Sequence, residues 1–242
     1  MNQDQKRPSR RAAFMATGGA LVAGLALAGC GKTDEKAKGG GEDVSANEDL
    51  MREHGVLRRL LVVYRETAGR LAKGDAGFDA AALGQAADLF RAFGEDYHER
   101  ELEEQHIFPA LQKAGGPAAA LVPVLLAQHS RGREITAYVR QRCAGGRIAA
   151  VDVEPLARML QDFARMYEAH TAFEDTVVFQ AWRQAMSEKA RDEAGELFEK
   201  IERSHFSGDG FDMAVGQVAQ IEQKLGLTDL SRYTAQPVGA PG

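Results

Sequence analysis

The sequence predicts an all-α fold: an up-down-up-down four-helix bundle with two extra C-terminal helices. Two observations carry this. Apolar residues recur at steps of three and four in long segments, and glycine or proline breaks separate those segments. No stretch alternates as a strand would.

Leu50, His54, Leu57, Leu61 and Tyr64 mark one face of a first helix, over about 47–73. Leu83, Ala87, Phe90, Gly94 and His98 mark a second, over 78–113, and Val122, Leu125, His129, Gly132, Thr136 and Val139 a third, over 118–143. Phe163, Tyr167, His170, Glu174 and Val177 mark a fourth, over 152–185. Breaks at Lys73-Gly74, Gly115-Gly116-Pro117 and Gly145-Gly146 are short, so successive helices should be antiparallel neighbours. Residues 187–206 and 211–226 form the two added helices, with Phe211, Val215, Val218 and Ile221 as an apolar face laid over the bundle.

The first thirty residues read as an address. Lys6, Arg7, Arg10 and Arg11 precede an uncharged Gly/Ala-rich run from Ala12 to Gly31, too short to span a membrane. Leu27-Ala28-Gly29-Cys30 resembles the lipobox of bacterial lipoproteins, which makes Cys30 the lipidated residue. Ser9-Arg10-Arg11 resembles a twin-arginine signal, although Ala13 stands where that pattern has Phe. The expected organisation is a signal peptide at 1–29, a lipidated Cys and flexible tether at 30–47, a bundle at 48–185 and a helical extension with a loose tail at 186–242. The protein would then be an exported periplasmic or cell-surface lipoprotein, touching the membrane only through its lipid. Cys143 is left as a small buried thiol. The formal charge is −5, and −8 once residues 1–29 are gone, which argues against a nucleic-acid partner.

Every one of the four helical stripes contains a histidine: His54, His98, His129 and His170. One such residue is usually core packing, but four buried imidazoles without partners would forfeit several hydrogen bonds. Metal coordination makes such burial favourable. Two segments repeat, Glu103-Glu104-x-x-Ile-Phe and Glu174-Asp175-x-x-Val-Phe, and His54 to His98 spans 44 residues against 41 from His129 to His170. The body is therefore two copies of one hairpin. Facing hairpins would gather four imidazoles with the repeated Glu103 and Glu174, a donor set that suits iron. Glu101, Glu104 and Asp175 read as a solvated face.

At these residues the chain resembles the hemerythrin-like, or HHE cation-binding, family, over roughly 48–185. The resemblance rests on His54 in EDLMREHGVLRRLL, His98 with EExxIFPAL, His129 in LLAQHSRGREI and His170 with EDxxVFQAW. It implies two non-haem iron ions bridged by carboxylates, with His54, His98, Glu103, His129, His170 and Glu174 as ligands. Family members bind O2, sense iron, oxygen or redox state, or handle NO and peroxide. Two departures stand out. Glu103 follows His98 by five residues, which on an α-helix turns it about 140° away, and a single π-bulge would restore it. Asp175 competes with Glu174 by the same five-residue step, and Glu99 and Glu101 are lesser candidates. The oxygen carriers have a second His four residues along helix 3, where this chain has Arg133. His106 and His205 are read as helix-end residues. The expected function is binding or sensing of O2, NO or iron without a catalytic residue. The alternative is a di-iron oxidoreductase consuming peroxide or NO, with Tyr64, Tyr97 and Tyr167 near the core. A helical lipoprotein binding zinc is a third reading.

Overall fold

The computed structural model describes residues 44–75 and 77–239; the signal segment, Cys30 and most of the tether lie outside them. The described chain is helical, with no strand. The first rod is α1 (Ala46–Ala72). The second opens as α2 (Ala80–Leu89), widens into a π segment (Phe90–Ile107) and closes as α3 (Phe108–Ala114). The third is α4 (Val122–Cys143). The fourth is α5 (Val153–Phe173), a short π segment (Glu174–Val178) and α6 (Phe179–Gln184). Two further helices follow, α7 (Glu188–His205) and α8 (Gly210–Leu225). Among the described residues no helix is long and apolar enough to cross a membrane.

Local chemistry sets the ends. Asp79 accepts hydrogen bonds from the backbone N–H groups of Ala81 and Ala82 at the start of α2, and Ser187 and Asp209 cap α7 and α8 in the same way. Gly226, at φ 69°, ends α8 in the left-handed conformation that a side chain would oppose. The rods pack as a square, α1 against α2 and α5, and α4 against α2 and α5. Tyr64, Phe90, Phe163 and Tyr167 meet edge to face, with centroids 4.8 Å apart for Phe90–Phe163 and 5.1 Å for Tyr64–Phe163. This aromatic layer floors the interior beneath the histidines.

The four predicted stripes are buried nearly as read, with one correction there and one on α8. Beyond Glu174 the buried residue is Val178, while Val177 is half-exposed, because the π turn shifts the phase by one residue. On α8 the buried face is Ala214, Val218, Ile221 and Leu225, and Phe211 and Val215 lie on its flank. That helix packs on α2 and α1, with Arg59 bonded to Glu222, so it covers the side of the bundle. α7 crosses α1 and the long π segment nearer the histidines.

Candidate metal centre

The four imidazoles converge in the bundle interior, none more than 3% exposed. Nε2 of His54 faces Nε2 of His98 at 3.0 Å, and Nε2 of His129 faces Nε2 of His170 at 3.2 Å. Between the pairs lie two fully buried carboxylates. Glu103 reaches both pairs, Oε1 at 3.4 Å from His98 Nε2 and Oε2 at 3.3 Å from His129 Nε2. Glu174 Oε2 stands 3.0 Å from His170 Nε2 and 3.6 Å from His54 Nε2. The sequence-predicted set is thus brought together whole.

The five-residue step to Glu103 works because the helix there is π throughout. A π turn closes between i and i+5, which returns Glu103 to the side of His98. The segment is eighteen residues long, where the sequence reading asked for a single bulge. His170 and Glu174 keep the four-residue step, and the short π segment begins at Glu174.

An outer ring fixes each imidazole by its other nitrogen. His98 Nδ1 lies 2.7 Å from Glu53 Oε2, His54 Nδ1 2.7 Å from Asp175 Oδ1, His129 Nδ1 2.9 Å from Glu104 Oε1, and His170 Nδ1 2.9 Å from Gln128 Oε1. An imidazole that donates from Nδ1 to such a brace can offer Nε2 to a cation in the interior. The bracing is reciprocal. Glu53 and Gln128 serve the second His of their own hairpin, whereas Glu104 and Asp175 each reach across to the first His of the other. Arginines four residues after His54 and His129 back these crossing acids: Arg58 bonds Asp175, and Arg133 bonds Glu104. The Phe of each repeated motif stacks on the opposite hairpin's His, Phe179 on His54 at 5.3 Å and Phe108 on His129 at 5.6 Å.

Sequence reasoning missed Glu53, Gln128 and Arg58, read Glu104 as part of a solvated face, and left Asp175 between that face and a ligand role, whereas both acids brace a histidine. Glu99 is buried and accepts from Tyr167 Oη at 2.7 Å. Glu99, Glu104 and His129 also cluster, but the Arg133 guanidinium already supplies the cation there, 3.1 Å from Glu99. Glu101 accepts from Gln105 at the surface, and the His106 ring packs 5.9 Å from Phe198, so neither joins the centre. Cys143 is buried as expected, and burial pushes its thiol up to about 12.

The donors fit a pair of cations. Two nitrogens bound to one ion at about 2.1 Å, as in zinc sites, and about 90–110° apart lie roughly 3.0–3.4 Å from each other, which is the spacing of both imidazole pairs. Among the described residues none gives a hydrogen bond to the four buried carboxylate oxygens of Glu103 and Glu174. Such oxygens need a counter-charge. The electrostatics show the same strain. Burial raises the Glu103 carboxyl, but His98 and His129 outweigh it and hold the group well below its ordinary range. Burial and the Glu103 charge push Glu174 well above it. Burial lowers His129, but Glu99, Glu103 and Glu104 lift it to about 10, while burial and the neighbouring His129 press His170 down to about 4. Protons thus share the centre unevenly, and a bound cation would replace them.

The hemerythrin HHE cation binding domain matches residues 45–182. The chain belongs to the hemerythrin HHE cation-binding family. Uncharacterized proteins of two Mycobacterium tuberculosis strains and of Mycobacterium bovis are 43% identical to it over 221 residues, covering 87% of this chain and 85% of each relative. No solved structure matches it significantly. Membership of the HHE family implies that the bundle binds metal cations, typically iron, and the buried His/Glu clusters fit that chemistry.

Proposed function

We propose that this HHE protein holds two iron ions and binds or senses a small diatomic ligand or iron itself. His54 and His98 would hold one ion, His129 and His170 the other, with Glu103 and Glu174 shared between them. The observation that carries this is the pair of inward Nε2 couples around four unpartnered carboxylate oxygens. Iron in such a nitrogen and oxygen donor set supplies one-electron chemistry and affinity for diatomic molecules. The chain's own part is to aim the donors, to exclude bulk water with Phe108 and Phe179, and to balance charge with Arg58 and Arg133. The test is metal analysis of protein beginning after Cys30. Close to two iron atoms per chain and near-ultraviolet absorption of oxygen-ligated iron are expected; zinc alone, or no metal, overturns the reading.

A second reading, an oxidoreductase consuming peroxide or NO, is favoured by the contact chain from His98 through Glu53 to Tyr97, whose Oη donates to Glu53 Oε1 at 2.9 Å. Sustained consumption with a reductant supports it, and a single-turnover spectral change supports the binder. We infer also that the protein is exported and anchored through Cys30. Incorporation of labelled fatty acid that Cys30→Ala abolishes is the expected result.

A further inference from the structure

Binding of a diatomic ligand and turnover of peroxide or NO both draw on ferrous iron, and one of the four outer braces leads to a place where a reductant can sit. Glu53 holds His98 with one oxygen and receives the Tyr97 hydroxyl with the other. The buried Tyr97 ring meets Phe206 edge-on at 5.2 Å and His205 at 5.8 Å. Both line an open groove of about 560 Å³ between α2 and α8. The other braces end differently: Asp175 and Glu104 on arginines, and Gln128 on His170.

The groove is built to a definite chemistry. Leu89, Phe206, Met213 and Ile221 give it apolar walls, and the amides of Gln217 and Gln220 stand among them. Phe206 is seated firmly, because a Cβ on Gly210 would lie 2.3 Å from its ring. Among the described residues no arginine lines the groove, and the one lysine there, Lys224, donates to Gln85 at 2.8 Å. A phosphate-bearing carrier would find no cluster of cations there. A flat apolar ring with two opposed polar oxygens matches walls and amides alike, and the volume suits a molecule of that size.

We propose that this groove binds a hydroquinone-type two-electron carrier and that Tyr97, Glu53 and His98 conduct its electrons to the metal centre. The proposal rests on the iron-pair reading above. Oxidation of the hydroquinone to the quinone releases two electrons and two protons. The protons would leave to solvent at the open mouth, and iron held by the four histidines with Glu103 and Glu174 would take up the two electrons, one per ion. Tyr97 acts here as a conducting and positioning residue.

The test begins with the metal-free full chain and menadione as the probe, by equilibrium dialysis. Saturable one-to-one binding is expected, weakened at least about tenfold by Gln217→Trp, an exposed change on α8 that fills the groove. Tyr97→Phe should bind menadione as the native chain does. In the iron-loaded chain, menadiol should then reduce the centre about tenfold more slowly in Tyr97→Phe, with the dithionite rate unchanged. Absence of saturable binding, or binding indifferent to Gln217→Trp, overturns the groove. Equal menadiol rates in native and Tyr97→Phe chains overturn the route. Failure to load iron sinks the iron-pair reading and the route with it, while menadione binding to the metal-free chain still decides the groove.

Discussion

The two hairpins, α1 with the second rod and α4 with the fourth, carry the same donors but differ in what surrounds them. Where the first braces its second histidine with the Glu53 carboxylate, the second uses the neutral Gln128 amide. Three residues before that histidine, the first hairpin buries Glu95 and the second buries Tyr167. Close packing is reversed as well. In the first, Leu57 presses on Gly94 of the π segment; in the second, Gly132 of α4 makes room for Tyr167. The repeat therefore fixes donor positions, while charge and volume in the next layer differ between halves. One ion would see two anionic braces, Asp175 and Glu53, and the other one anionic and one neutral, Glu104 and Gln128, so the two should differ in affinity and potential.

The largest test of that comparison removes a donor from each half. His98→Ala and His170→Ala should each lower metal content, measured by elemental analysis, and lower thermal stability of the loaded protein by several degrees, because Glu103 and Glu174 lose their counter-charge. Variants as stable as the native metal-loaded chain would show that Glu103 and Glu174 do not depend on a bound cation.

Glu95 sharpens the contrast through pH. Burial, and then the charge of Glu99, push its carboxyl from 4.5 up to about 7 against the opposing effects of Thr136, Arg91 and Arg133. The folded chain thus holds this proton more tightly than the unfolded one. The resulting penalty is absent below the unfolded value of 4.5, grows as pH rises toward 7, and is complete above it. Urea unfolding of metal-free native and Glu95→Gln protein should show the variant gaining about 2–3 kcal/mol on the native chain between about pH 5 and pH 8. A constant difference would place Glu95 in a wetter setting.

A Cβ at Gly132 would stand 2.0 Å from Tyr167 Oη, so Gly132→Ala should cost about 1–3 kcal/mol of stability by overpacking. Next come the braces. Glu53→Gln makes the first half like the second and should weaken metal binding about tenfold in a chelator competition; Gln128→Glu should strengthen binding in the second half. The smallest change is Gly55→Ala. Its Cβ meets nothing within 4 Å on exposed α1, so a gain of about 0.5–1 kcal/mol in unfolding free energy is expected.

Much of the centre was legible from phase. Four histidines on four apolar stripes announce convergence, and the repeated acidic pair picked out Glu103 although its step was wrong for an α-helix. The outer ring was not legible, because Glu104 and Asp175 brace histidines of the opposite hairpin. Only the packing of rods tells such an acid from one facing water. Glu53 and Gln128 left a faint trace, each a polar residue just before a stripe histidine. The phase slip at Val178 has a related cause. Periodicity assumes one pitch, and the π turns change it at the residues that matter most.

The crossing braces have the symmetry of a dimer contact. Glu104 serves His129, and Asp175 serves His54, in the reciprocal manner of an isologous contact about a two-fold axis. Two copies of a single hairpin, associated as a homodimer, would satisfy both with one acid, Glu or Asp, at that position. Joining the copies in one gene adds no brace. It releases the halves from identity, so that an acid on one side and an amide on the other can diverge while the shared carboxylates stay in register.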